Sequence, residues 1–139
     1  MSDSSRIGQI VESKRNTLIA ISDQIWEYAE LKFEEYRSAD LLCKALEDEG
    51  FAVERNIDGM ETAFIGSYGT GSPVVAILAE YDALDGLSQV SNAARQEPVV
   101  QGGAGHGCGH HLLGAGALAA AIAVKQTLIE HQLAGTIRL

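Results

Sequence analysis

The stretch PVVAILAEY, from Pro73 to Tyr81, is an unbroken apolar run of strand length. A strand that is apolar on both faces must be covered on both faces. That is the condition of a central strand in a sheet with helices packed against it. The segments around it supply those helices. Ile7, Ile10, Val11, Leu18, Ile21 and Ile25 recur at helical spacing and predict one long helix over 4–31. EEYRSADLLCKALEDEG predicts a second over 36–49, with Leu41, Leu42, Ala45 and Leu46 inward and Gly50 as its stop. FAVERNI and TAFIGSYG read as short strands, punctuated by the turn residues DG and GTGSP. A long irregular stretch follows, from about 83 to 109, then a helix over 110–131 and a last strand beginning at GTIRL. The order predicts an α/β fold: a mixed sheet of three or four strands flanked by helices, with PVVAILAE buried inside it.

Composition narrows the functions open to such a fold. The chain has 139 residues, 46% hydrophobic and 21% charged, the balance of one globular unit. Its formal charge is −9, so the Lys/Arg patches that nucleic acid or an anionic membrane surface requires are not expected. The N-terminal MSDSSRIGQIVESKR has no apolar core of signal-peptide length. LLGAGALAAAIAV, the longest apolar run, is shorter than a bilayer span, so no membrane partner is expected either. Two cysteines do not make a disulfide framework. Cys43, on the apolar side of the second helix, reads as a small buried hydrophobe. Cytoplasmic residence is the default expectation.

The chemistry concentrates in GGAGHGCGHHLLGAGALAAA, Gly102 to Ala121. His106, Cys108, His110 and His111 fall within six residues there, on a glycine-rich backbone directly before a helix. Cys108 and His110 are two apart, so in a loop or extended backbone both can face one ion. Thiolate and imidazole both suit Zn2+ and its neighbours. A helix N-terminus beside Cys108 would favour its thiolate. Glycines at 102, 103, 105, 107 and 109 permit positive φ and close backbone approach, and the small residues Gly114 to Ala117 permit tight helix packing. Four readings fit this segment. A phosphate cradle lacks the Gly-Lys-Ser/Thr ending. A structural zinc site lacks a second ligand pair at short spacing. A cysteine nucleophile activated by a neighbouring histidine stays open. A partial catalytic metal site with further ligands elsewhere fits the spacing best. Glu80 and Asp82 stand at the C-terminal end of the apolar run, where α/β sheets place their sites. Strand ends are also polar simply because they reach water.

Taken in order, AELKFEEYRSADLL, VVAILAEYDALDGLSQ and GHGCGHHLLGAGALAAAIAVK resemble the amidohydrolase branch of the aminoacylase/carboxypeptidase metallopeptidase superfamily. The resemblance runs over nearly the whole chain. It implies an α/β catalytic domain bearing a lid domain, and hydrolysis of an amide bond to an amino acid with one or two divalent metals, Zn2+ or Mn2+. Cys108 and His110 match the family's first two metal ligands. Asp82 matches the carboxylate lining the metal site, a catalytic position, and Glu80 its less certain partner. His111 stands where the family has Asp or Asn, and His106 matches a recurrent histidine of unassigned role. The family's strand corresponding to GTIRL runs on into a Glu-Glu pair holding the general base, followed by further histidine ligands. Residues 1–139 are therefore expected to be the N-terminal portion of a single catalytic domain, with little activity of their own. The implied partners are a small amide or glutamate-conjugate substrate and an oligomer of like or unlike subunits. The alternative from another class is a non-catalytic binding or regulatory partner that keeps the front of the fold.

Overall fold

The computed structural model describes residues 2–139. In chain order it comprises α1 (Asp3–Ser13), α2 (Arg15–Tyr28), α3 (Tyr36–Asp48), β1 (Ala52–Ile57), β2 (Met60–Thr70), β3 (Val74–Ala76), α4 (His110–Glu130) and β4 (Gly135–Arg138). The strands form one mixed sheet in the order β1-β2-β4-β3. β1/β2 and β2/β4 are antiparallel, and β3/β4 is parallel. Helices α3 and α4 pack on the sheet, and α1 and α2 pack on α4. The core joins Ile25, Leu42, Leu46, Leu118, Ala121 and Ile137 from these elements. The expected α/β class, a mixed sheet flanked by helices, is what forms.

The helix expected over 4–31 is two helices, broken at Lys14 with φ −101° and ψ 1°. The Lys14 N–H bonds the Val11 carbonyl, and Ser13 Oγ donates to the Ile10 carbonyl at 2.6 Å, which tightens the last turn of α1 and ends its ladder. The Lys14 ammonium is held at 2.5 Å from Glu49, at the end of α3. Helix α3 ends as its sequence dictates. The Phe51 N–H bonds the Leu46 carbonyl and the Gly50 N–H bonds that of Glu47, with Gly50 at φ +82°.

The largest departure concerns PVVAILAE. Only Val74–Ala76 pairs as a strand, and it lies at the edge of the sheet, with Val74 and Val75 about half exposed and Leu78 92% exposed. The expected buried central strand is corrected to an exposed edge strand. Its physical cause is the lack of cover: β4 bonds one side of it, and among the described residues nothing bonds the other. Beyond Ala76 the Ile77 N–H still reaches the Arg138 carbonyl at 2.8 Å. From there residues 77–82 run opposite Met60–Ile65 of β2 across a slot of about 500 Å3. The Tyr81 hydroxyl bridges the slot by donating to the Thr62 carbonyl.

Helix α4 spans 21 residues and includes an 18-residue window with a mean hydropathy of 1.7, long and apolar enough by length and composition to cross a membrane. It is longer than the apolar run read from the sequence. Much of its apolar surface is taken up by the core, through Ala115, Leu118, Ala121 and Ile122.

Candidate active site

Three backbone features bring the chemistry of the sequence to one place. Glu30 comes first. Its carboxylate accepts from the backbone N–H groups of Arg37 (3.1 Å) and Ser38 (2.9 Å), both in the first turn of α3, and from the Ser38 hydroxyl (2.8 Å). It therefore caps α3 from outside the helix. Burial raises its pKa, but these hydrogen bonds outweigh burial and hold it below the ordinary carboxylate value. The Glu30 carbonyl then accepts from the Ala83 N–H at 2.7 Å, and Leu31 bridges Ala83. This fixes the backbone immediately after Asp82.

The second feature is the irregular stretch, which folds back on itself. Leu84 and Gly105 exchange both backbone hydrogen bonds, at 3.0 and 2.9 Å, and the Ser88 N–H bonds the Gly103 carbonyl at 2.9 Å. Gly105 is required there. A Cβ on it would sit 2.0 Å from the Leu87 carbonyl oxygen.

The third is the approach of α4 to the 80–82 segment. A Cβ on Gly114 would lie 3.3 Å from Tyr81 Cβ and 3.4 Å from the Glu80 carbonyl oxygen, so glycine lets the helix sit against this segment. Gly116, grouped with it in the sequence reading, has open space around it and makes no such approach.

These anchors place His110, the first residue of α4, between the two carboxylates. Its Nδ1 lies 2.7 Å from Asp82 Oδ1 and its Nε2 lies 3.2 Å from Glu80 Oε2. Asp82 and His110 are largely shielded from solvent, whereas Glu80 is 65% exposed. With Nδ1–H donated to Asp82, a neutral ring turns a lone pair toward the Glu80 carboxylate. Two such acceptors 3.2 Å apart are satisfied by a proton or a cation between them. The separation matches about 3.3 Å, the span of two ligands each about 2.0 Å from a tetrahedral metal. The carboxylate–histidine pairing is also the usual support for a metal-binding imidazole.

The remaining candidates lie on either side. Cys108 is an exposed free thiol, separated from the helix by Gly109, the N-cap, with φ +86°. His106 is buried and its Nε2 lies 3.0 Å from the Ile25 carbonyl. A carbonyl only accepts, so Nε2 carries the proton and Nδ1 is a bare acceptor. That Nδ1 and the Nδ1 of His111 are both buried without a partner, and the two rings sit 4.9 Å apart. Burial lowers the pKa of both imidazoles. Sequence reasoning finds neither Glu30 as a cap nor Glu35, whose buried Oε2 lacks a partner beside the slot. Glu30 and its targets are seven and eight residues apart, a spacing that no local capping signature covers. The structure brings His110, Asp82 and Glu80 together and pairs His106 with His111. Among the described residues, no three His, Cys, Asp or Glu side chains are arranged to hold a metal ion by themselves.

The fold is that of the M20 metallopeptidases. It superposes with a TM-score of 0.74 on a Bacillus subtilis protein described as a dinuclear metal-binding peptidase of that family, at 26% identity, over 91% of this chain and 34% of the other. No family model matches the sequence. Among individual proteins, the chain is 50% identical over 132 residues to a subunit of the p-aminobenzoyl-glutamate hydrolase of Escherichia coli K12. That match covers 95% of this chain and 27% of the relative. It is also 30% identical over 134 residues to the Xaa-Arg dipeptidase of Mus musculus, covering 88% of this chain and 27% of that relative. The resemblance read from the sequence therefore stands: the chain is a relative of metal-dependent amidohydrolases and peptidases, and it spans about a quarter of the length of these two curated relatives.

Proposed function

We propose that the chain is the metal-binding front of a metal-dependent amidohydrolase, the N-terminal portion of its catalytic domain. The reaction class is hydrolysis of an amide bond to an amino acid, with a glutamate conjugate of an aromatic acid as substrate. The observation that carries this is His110, held at Nδ1 by Asp82 with Nε2 turned to Glu80. The 50% identity to a subunit of a p-aminobenzoyl-glutamate hydrolase supports this choice of substrate class. That relative's designation as a subunit supports assembly with an unlike chain. Cytoplasmic residence remains part of the proposal.

The donor set fits a divalent metal in part. His110 and Cys108 would hold it, with Glu80 beside it, and Zn2+ or Mn2+ suits this mixture of imidazole, thiolate and carboxylate. When bound, such an ion supplies Lewis acidity toward a carbonyl oxygen and acidifies water. The chain's own contribution is orientation. Asp82 fixes the tautomer and angle of His110, and Glu30 and Gly114 fix the segment that carries Asp82. His106 and His111, whose buried Nδ1 atoms have no partner, are read as supporting residues of this cluster.

A second reading is favoured by one observation: no three donors converge among the described residues. A non-catalytic partner that kept the fold would look the same. Calorimetric titration of Zn2+ and Mn2+ into the chain, its Cys108→Ala variant and its His110→Ala variant separates the two. The expected result is weak binding that either substitution abolishes. No binding in any of the three, or equal binding in all three, would favour the partner reading or misplace the site.

A further inference from the structure

Besides the slot next to Glu80, the molecule has a cleft of about 650 Å3 between the C-terminal turn of α2 and the folded-back stretch that ends at Gly107. It is a volume suited to a small organic group. Trp26 and Tyr28 line one wall, Leu87, Val99 and Val100 the other, and the backbone of Gly103–Gly107 closes one side. The cleft adjoins the candidate metal ligands through His106, which lines it and whose ring lies 4.9 Å from that of His111, the neighbour of His110 in the chain. The cleft is preformed. The Tyr28 hydroxyl donates to Gln24, the Arg37 guanidinium stacks 4.3 Å over the Tyr28 ring, and the loop wall is tied by the Leu84–Gly105 and Ser88–Gly103 hydrogen bonds. No lysine or arginine lines it, and Glu27 is its one acidic residue.

We propose that this cleft is the subsite for the uncharged aromatic acyl half of the substrate, with Tyr28 and Trp26 as its specificity determinants. This rests on the amide-hydrolysis reading above. The charge argument decides which half enters. A glutamyl group would bring two carboxylates to a lining that holds no lysine or arginine and one carboxylate of its own. An aromatic ring instead gains apolar burial and offset or edge contacts with two fixed aromatic side chains.

Trp26 is the single tryptophan of the chain, so its fluorescence reports occupation of the cleft directly. The probes are benzoyl-glutamate, acetyl-glutamate and free glutamate, titrated into the metal-free 139-residue chain. Benzoyl-glutamate is expected to change Trp26 emission saturably, and the other two are not. Tyr28→Leu, which keeps apolar bulk without the ring, should weaken that response about tenfold. Tyr36→Leu, an exposed tyrosine outside the cleft, should leave it unchanged. No saturable response to benzoyl-glutamate, an equal response to acetyl-glutamate, or an undiminished response in Tyr28→Leu would each overturn the assignment. The measurement needs no metal and no turnover. A failure of metal binding at Cys108 and His110 would therefore leave it standing, and its own failure would leave the metal reading intact.

Discussion

His110 sits with carboxylates at both ring nitrogens, at 2.7 and 3.2 Å, and the two contacts have different jobs. Asp82 is shielded and holds Nδ1, while Glu80 is mostly exposed and faces Nε2. Asp82→Asn keeps the shape and removes the charge. It should weaken Zn2+ binding by about 10- to 100-fold, measured by calorimetry beside the parent chain. An unchanged affinity would mean that His110 needs no orienting partner. The two cysteines also divide by environment. Burial pushes the Cys43 thiol up to about 11, while Cys108 is exposed. At about pH 8, roughly one Cys43 in a thousand is thiolate. Alkylation of the native chain, followed by mass spectrometry of peptides, should label Cys108 well before Cys43. Equal rates would show that the core around Leu42 and Leu46 opens freely.

At the scale of the element, α4 carries two glycines whose substitution should act with opposite sign. Gly114→Ala brings a Cβ to 3.3 Å from Tyr81 and 3.4 Å from the Glu80 carbonyl, so either the helix or the 80–82 segment must give. About 1–2 kcal/mol of stability should be lost, and metal binding should weaken as His110 and Asp82 part. Gly116→Ala meets nothing within 4 Å on a helical backbone and should gain about 0.5–1 kcal/mol by helix propensity alone. Urea melts of the two variants check this. Destabilisation of both would mean that α4 is already strained at its first turns.

Across the whole molecule, a single half-buried carboxylate ties three helices. Glu49, at the end of α3, accepts from Lys14 at the α1–α2 break (2.5 Å) and from Lys125 of α4 (3.0 Å). Lys125 also donates to the Glu49 carbonyl at 2.6 Å. Burial raises the Glu49 pKa, yet the two lysines outweigh it and hold it below its ordinary value. A carboxylate with a depressed folded pKa gives stability that is fully present above the unfolded value of about 4.5 and is lost as pH falls through the folded one. Glu49→Gln should therefore cost about 2–3 kcal/mol near neutral pH, because it leaves a mostly buried Lys125 without its counter-charge. It should also flatten the acid limb of a plot of urea midpoint against pH. A variant that loses stability along the parent's acid limb would put the acid sensitivity elsewhere.

The sequence by itself determined whatever depends on local pattern. Apolar spacing gave α3 and α4 to within a residue, because their stripes and the Gly50 stop lie within a turn or two of each other. The DG turn marked the β1–β2 hairpin, and the clustering of His106, Cys108, His110 and His111 marked a candidate site, of which His110 meets Glu80 and Asp82. Its pairing with Glu80 and Asp82 was legible because both segments end beside a sheet edge. What the tertiary structure decided was coverage and long-range partnership. PVVAILAE reads as a buried strand, since an apolar run records the cover a segment needs and not what stands beside it. In this chain it is an edge with Leu78 in solvent. The break at Lys14 is made by the Ser13 hydroxyl and the Lys14 N–H and is held by Glu49, 35 residues away, and the helical period of 4–31 carries no trace of it. Glu30 capping α3, His106 bonding Ile25, and His111 facing His106 are contacts between segments, set by how the helices pack. Local periodicity fixes which residues form elements. Only the packed chain fixes which of their polar groups meet.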